Sequence, residues 1–310
     1  MGLYPKDLIL KKMIFMKAVT KFAILFVGSL MLLAAISPAF ASVSMTMPGM
    51  VSLNSSNSNW DSSNWSGYAV TGSAGSVTSA SGSWIVPTVS GGMGTSYAAF
   101  WTGIDGFNSP TVEQIGTLSQ SSSSFSFRGS RTTVAYYAWY EFYPSESIIT
   151  ITTATSPSGA PATVKPGDSI FATVTYESGT TFALTINDKT EHWTFTTTGS
   201  QPGATESSAE WIAEAPSSST GVLPLANFGH VNFGSDYTST SMTCDATVNG
   251  VPGSIGSFLN GASVASSTDV QSITMATIMS FGRYTFVLPE ATPSALSSDG
   301  TSFSITWDRA

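Results

Sequence analysis

From residue 59 onward, the chain alternates apolar and polar residues with the period of a β-strand, and no segment carries the apolar stripe of a capped helix. The alternating segments are rich in β-branched and aromatic residues, which pleated sheets favour. They span residues 83–86, 134–142, 148–153, 169–176, 181–186, 192–197, 285–288 and 302–307. Short strands joined by turns at this frequency predict an all-β fold, either two packed antiparallel sheets or a closed barrel.

The first 41 residues have the layout of a secretory signal peptide. Lysines precede the largely apolar run 22–36, and Ala39-Phe40-Ala41 provides a small-x-small cleavage site. An uncleaved anchor is the alternative, but no later segment is apolar for long enough to cross a bilayer. We therefore expect a secreted, extracellular protein with no stable membrane association after residues 1–41 are removed.

The remaining chain is predicted to contain one domain. Residues 42–58 have no periodicity and combine a methionine-rich stretch with a Ser/Asn stretch, which predicts a linker or short propeptide. Residues 59–310 are assigned to a single domain because no shift in composition marks a second one. Turn pairs such as Asn249-Gly250 and Pro252-Gly253 predict a long loop at about 239–265.

The charge balance excludes one class of partner. The whole chain has 11 basic and 19 acidic residues, and removal of residues 1–41 leaves 6 basic and 18 acidic ones. A surface this acidic repels phosphate, so nucleic acid is not an expected partner. Few positive charges would remain after the acids are protonated, so the composition suits an acidic habitat. We expect a monomer.

Several hydrolase mechanisms lack their usual residues. The only histidines are His192 and His230, and neither lies in a His-Glu-x-x-His motif, so a zinc hydrolase of that kind is not supported and no metal or organic cofactor is implied. No Asp-Thr-Gly or Asp-Ser-Gly occurs to carry a pepsin-like dyad. Cys244 is the only cysteine, which excludes an intramolecular disulfide and favours a small buried apolar role.

Two polar residues stand out within apolar strand patterns. Glu210 lies in Ser208-Ala209-Glu210-Trp211-Ile212, and Gln114 lies in Val112-Glu113-Gln114-Ile115-Gly116. A carboxylate in such a position loses hydration unless it has a partner, so its placement needs a reason. The pair suggests chemistry carried out by a carboxyl and an amide.

Four segments, in order, resemble one known family. They are Asn64-Trp65-Ser66-Gly67-Tyr68, Trp101-Thr102-Gly103-Ile104-Asp105-Gly106 leading to Glu113-Gln114-Ile115-Gly116, Ala138-Trp139-Tyr140-Glu141-Phe142-Tyr143-Pro144, and Ala209-Glu210-Trp211-Ile212-Ala213-Glu214 with Ala226-Asn227-Phe228-Gly229. In these motifs the chain resembles the glutamic peptidases, also called eqolisins. The resemblance runs from about residue 59 to residue 236, and weakly to the C-terminus.

The resemblance implies a fold and an activity. The fold is an antiparallel β-sandwich of two long sheets, of the concanavalin-like or jelly-roll type, and the activity is that of an acid-acting endopeptidase on polypeptide substrates. The resemblance assigns the catalytic dyad to Glu210 and Gln114. It places the cleft-lining or supporting residues at Trp65, Trp101, Asp105, Trp139, Glu141 and Tyr143.

Two other classes of function remain open on sequence alone. A glycoside hydrolase or carbohydrate-binding β-sandwich could use Glu141 and Glu210 as its paired carboxyls, although Gln114 then has no special role. A noncatalytic adhesin would account for the Ser/Thr richness and low charge. Dependence of proteolysis on Gln114 would separate the peptidase from both alternatives.

Overall fold

The computed structural model describes residues 44–127, 129–154, 159, 161–238, 243–261 and 268–310. The predicted signal peptide lies outside these residues. Within them, no helix combines the length and the apolar character that a membrane span requires.

Nearly all regular structure is β-strand. The strands are β1 (Ser52–Ser56), β2 (Asn59–Ser62), β3 (Trp65–Thr71), β4 (Val77–Ile85), β5 (Gly94–Ile104), β6 (Val112–Ser126), β7 (Gly129–Tyr143), β8 (Ile149–Thr150), β9 (Ser169–Ser178), β10 (Thr181–Asp188), β11 (Trp193–Ser200), β12 (Ser208–Glu214), β13 (Ser217–Ser218), β14 (Gly221–Val222), β15 (His230–Phe233), β16 (Asp245–Val248), β17 (Val251–Ser254), β18 (Asp269–Phe281), β19 (Tyr284–Pro293) and β20 (Phe303–Trp307). The short helix α1 (Ser235–Thr238) and a 3₁₀ helix (Ile255–Gly261) complete the described elements.

The strands form two layers. Sheet A has the order β7-β6-β5-β12-β3-β18, and sheet B has the order β11-β10-β9-β4-β16. Strands β19, β20 and β15 pair in succession and link β18 of sheet A to β4 of sheet B. Neighbouring named strands are antiparallel except β2, which runs parallel to β18. The predicted antiparallel β-sandwich is confirmed.

Sheet A buries both of its faces. Its inner face packs against sheet B through residues such as Phe100, Ile115 and Trp211. Its outer face carries a second apolar cluster, which we call the outer cluster; its largest side chains are Trp65, Trp101 and Trp139. Because side chains alternate along a strand, a sheet covered on both faces needs apolar residues at nearly every position. This explains why β5 and β12 show little alternation in burial.

The segment predicted as a linker or propeptide is part of this arrangement. Strand β1 lies within it and pairs with β2. Met47, upstream of β1, is fully buried in the outer cluster. Sequence periodicity missed this because the segment is held by contacts with distant residues rather than by a pattern of its own.

Two further differences concern strand limits and the predicted loop. Residues 148–153 were expected to form a strand, but only Ile149–Thr150 does so. Within 239–265, the structure has the hairpin β16–β17 followed by the 3₁₀ helix, while residues 239–242 and 262–265 lie outside the described part. The hairpin turn is Asn249-Gly250, and both residues have positive φ, 53° and 76°, as a tight hairpin turn requires. Cys244 is buried just before this hairpin, and burial raises the pKa of its thiol.

Candidate active site

Gln114 and Glu141 face each other on the outer face of sheet A. They are directly paired in the register of β6 and β7. The Gln114 Nε2 donates hydrogen bonds to the carbonyl oxygen of Met47 at 2.6 Å and to Glu141 Oε2 at 3.3 Å. The backbone N–H of Met47 donates to the same Glu141 oxygen at 2.8 Å. The backbone of Met47 is therefore held at its carbonyl oxygen by Gln114 and at its N–H by Glu141.

Burial controls the protonation of Glu141. Desolvation raises its pKa to about 8, although the hydrogen bond from the Met47 N–H lowers it. Below that pH the carboxyl is neutral, and its carbonyl oxygen can still accept both hydrogen bonds. In an acidic medium Glu141 would position Gln114 without adding a negative charge to the cleft.

A second acid of the outer face is Glu214, the last residue of β12. Its Oε2 accepts a hydrogen bond from Trp101 Nε1 at 2.9 Å, and its Oε1 accepts one from Asn64 Nδ2 at 3.3 Å. Burial raises the pKa of Glu214 well above its usual value, and the nearby charge of Glu141 raises it further. The Trp101 and Asn64 donors lower it, because they stabilise the ionised form.

Glu210 has different surroundings. Among the described residues, neither of its carboxyl oxygens has a hydrogen bond of good geometry. Burial raises the pKa of Glu210 well above the usual value. The Ser208 hydroxyl lowers this pKa, and the charges of Asp105 and Glu113 raise it. Glu210 therefore belongs with a group of buried acids rather than with the Gln114–Glu141 pair.

In the register of sheet A, one residue lies between Glu210 and Gln114. Glu210 pairs with Gly103 of β5, and Gly103 pairs with Gln114 of β6. The indole of Trp101 lies over that glycine, because a Cβ at Gly103 would stand 2.9 Å from Trp101 Cζ3. The opposite edge of the same indole carries the N–H that contacts Glu214. The predicted convergence of Glu210 and Gln114 is thus absent from the described contacts, and Trp101 fills the space over the residue between them.

Asp105 serves as an anchor for a loop. Its carboxylate accepts five hydrogen bonds from the backbone and hydroxyl groups of Thr205, Glu206 and Ser207. It is fully buried and has a positive φ of 69°. The family resemblance predicted Asp105 in the cleft or in support of the dyad, but its described contacts are to this loop.

The predicted aromatic residues surround the Gln114–Glu141 pair. Trp65 and Trp101 pack edge to face with ring centroids 4.9 Å apart. Trp139 belongs to the same outer cluster, and Tyr143 packs against it while partly exposed. The structure therefore brings together five of the six predicted supporting residues, Asp105 being the exception.

Three residues of the site were not predicted from the sequence. Glu214 could have been found, because residues 210 and 214 lie on the same face of a strand and both belong to the motif. Asn64 belongs to the first motif but was given no role. Met47 offered no signal, since its contacts join residues 67 and 94 positions apart. Within the described residues, no group of three His, Cys, Asp or Glu side chains could hold a metal ion.

Comparison with known proteins assigns the family. Residues 63–292 match the model of the Peptidase A4 family. The chain belongs to the Peptidase A4 family. Aspergillopepsin-2 of Aspergillus niger is 30% identical over 225 residues, which are 64% of this chain and 73% of that protein. This Peptidase A4 chain is a glutamic peptidase, of the group also called eqolisins, and the expectation of a peptidase is confirmed.

Solved structures agree on the fold of this Peptidase A4 protein. Scytalido-glutamic peptidase with a transition state analog inhibitor has a TM-score of 0.54 at 24% identity, with coverage of 79% of this chain and 98% of that one. SCP-B, described as a member of the eqolisin family and solved with the tripeptide Ala-Ile-His, has a TM-score of 0.51 at 24% identity and the same coverage. The family assignment removes the support that the glycoside hydrolase and adhesin hypotheses had from the sequence.

Proposed function

We propose that this peptidase is an endopeptidase that works in acid, with Gln114 and Glu214 as its dyad. The observation that carries the proposal is the 2.6 Å hydrogen bond from Gln114 Nε2 to a peptide carbonyl oxygen inside the tryptophan-lined cleft. An amide donor aimed at a peptide carbonyl can also stabilise the oxyanion that forms there on attack by water. Polypeptides are the substrate class, since a backbone unit is what the side chains already hold.

Glu214 is the better general base of the two glutamates on β12. A base must be ionised. Burial and the charge of Glu141 raise the pKa of Glu214, and two side-chain donors, Trp101 and Asn64, oppose them by stabilising its charge. For Glu210, the Ser208 hydroxyl opposes burial and the charges of both Asp105 and Glu113. In this mechanism ionised Glu214 takes a proton from water and the water oxygen attacks the carbonyl carbon. The same carboxyl then returns the proton to the leaving nitrogen. Gln114 cannot titrate in this range, so the pair avoids the repulsion of two carboxylates.

The test compares three substitutions in the purified chain with a denatured protein substrate at about pH 3 to 5. Gln114→Ala is expected to lower kcat on the order of a hundredfold or more, because an oxyanion donor is lost. Glu214→Gln is expected to remove activity, since no group replaces the base. Glu210→Gln is the matched control on the same strand and should retain kcat. Loss of activity in Glu210→Gln with retention in Glu214→Gln would transfer the role to Glu210.

We further propose that the enzyme is secreted by means of residues 1–41. Support comes from the apolar run 22–36 and the Ala39-Phe40-Ala41 site. Mass spectrometry of the culture fluid would overturn this if the protein were absent there or still carried residues 1–41.

A further inference from the structure

The cleft of this peptidase contains part of its own chain. Residues 44–50 cross the outer face of sheet A before β1 begins. At one end, Thr46 and Ser217 exchange both backbone hydrogen bonds at 2.9 Å, as in an antiparallel strand pair. At the other end, beyond Met47, the N–H of Met50 donates a hydrogen bond to the carbonyl oxygen of Gly106 at 2.9 Å. Backbone hydrogen bonds on both sides of a buried side chain hold the segment extended, as main-chain bonds hold a bound peptide.

The middle of the segment occupies the position proposed for a substrate. The Met47 carbonyl accepts from Gln114, and the Met47 N–H donates to Glu141. The Met47 side chain is fully buried in the outer cluster with Trp65, Trp101 and Trp139. Asn64 links the segment to the base, because its amide donates to both Gly49 O and Glu214 Oε1.

The residue after the polarised carbonyl is Pro48. Hydrolysis there would require protonation of the Pro48 nitrogen, which carries ring Cδ where other residues carry a hydrogen. The ring crowds the approach of a general acid to the lone pair of that nitrogen. The bond that Gln114 polarises is therefore a poor one to cleave, although the rest of the segment binds as a substrate does.

We propose that residues 44–50 are a built-in substrate mimic, that the pocket around Met47 is the subsite selecting an unbranched apolar side chain, and that Pro48 protects the segment from cleavage. This inference rests on the proposed function of Gln114. The subsite accepts the residue whose carbonyl is attacked. The segment must leave before a substrate enters, and its departure lets water reach Glu214 and removes much of the desolvation that raises the pKa of that acid.

The first test weakens the mimic. Met47→Ala in the chain beginning at residue 42 removes buried apolar contact, so the cleft opens more often and kcat/KM for an added peptide substrate should rise about tenfold or more. Met45→Ala is the matched control, a methionine of the same segment that is only partly buried and makes no contact with Gln114 or Glu141 among the described bonds. It should stay near wild type. Hydrolysis at the wild-type rate by Met47→Ala would overturn the inference alone.

The second test turns the mimic into a substrate. In Pro48→Ala, water supplies a hydroxyl to the Met47 carbonyl carbon and a hydrogen to the residue-48 nitrogen, and the bond between them breaks. Intact mass should then show loss of residues 42–47 at acidic pH, and the double variant Pro48→Ala/Gln114→Ala should stay whole. An uncut Pro48→Ala chain that still hydrolyses added substrate would also overturn the inference. Absence of hydrolysis in every variant would overturn the proposed function, and the inference with it.

Discussion

At the scale of single residues, hydrogen-bond donors distinguish the two glutamates of β12. Both are fully buried on one face of the strand, so neither burial nor the face they occupy separates them. The Trp101 indole N–H and the Asn64 amide reach Glu214, while Glu210 has no donor of good geometry among the described residues. A tryptophan that lines the cleft therefore also sets the charge of the proposed base.

Trp101→Phe is expected to shift the pH dependence of activity. The variant loses an N–H that lowers the pKa of Glu214, so that pKa rises. Because the base must be ionised, the acidic limb of the kcat/KM profile should move to higher pH. Trp139→Phe is the control, since its Nε1 has no hydrogen-bond partner in the described chain. Equal profiles for the two variants would contradict this role for Trp101.

At the scale of elements, the site depends on how closely β3 lies against β12. Gly67 of β3 pairs with Ile212, and its φ is +146°. A Cβ at Gly67 would stand 2.1 Å from the carbonyl oxygen of Trp211. Only glycine permits this approach, which fixes Asn64 and Trp65 relative to Glu214.

Gly67→Ala should therefore destabilise the protein by on the order of 3 kcal/mol or more, because strain at positive φ and overlap with a backbone atom combine. Urea unfolding followed by tryptophan fluorescence measures the loss. Gly203→Ala is the control, because Gly203 also has a positive φ of 87° but has open space at its Cβ position. It should cost only about 1 kcal/mol. Similar losses in the two variants would show that close approach of the strands is unimportant.

At the scale of the whole molecule, stability depends on keeping buried acids neutral. Burial raises the pKa of Glu113, Glu141, Glu210 and Glu214. For Glu141, the pKa in the folded chain is raised to about 8, whereas the unfolded chain releases the proton near the ordinary pKa of 4.5. Between those pH values the folded state binds more protons, so its stability falls as pH rises.

The melting temperature is accordingly expected to be highest near pH 4 and to decrease steadily toward pH 8. Glu141→Gln should flatten part of that decrease, because glutamine has no proton to lose. Glu146→Gln, a substitution on the exposed surface after β7, should leave the slope unchanged. Scanning calorimetry at a series of pH values checks this, and a melting temperature that rises toward neutral pH would contradict it.

The sequence predicted the sandwich because strand periodicity is local. Residues 169–176 and 181–186 alternate clearly and form β9 and β10. Asn249-Gly250 is a hairpin turn, but its flanking strands are only four residues each and too short to show a pattern. Choosing between Glu210 and Glu214 required the direction of the Trp101 indole, which depends on packing across three strands. The course of residues 44–50 required contacts that no local pattern encodes.

The groups proposed for chemistry lie on β5, β6, β7 and β12, not on the connections between them. Ladder hydrogen bonds of adjoining strands fix their spacing, so the connections at the ends of sheet A can vary in length without disturbing it. New recognition surfaces could be grafted at those ends while the reaction geometry is inherited unchanged.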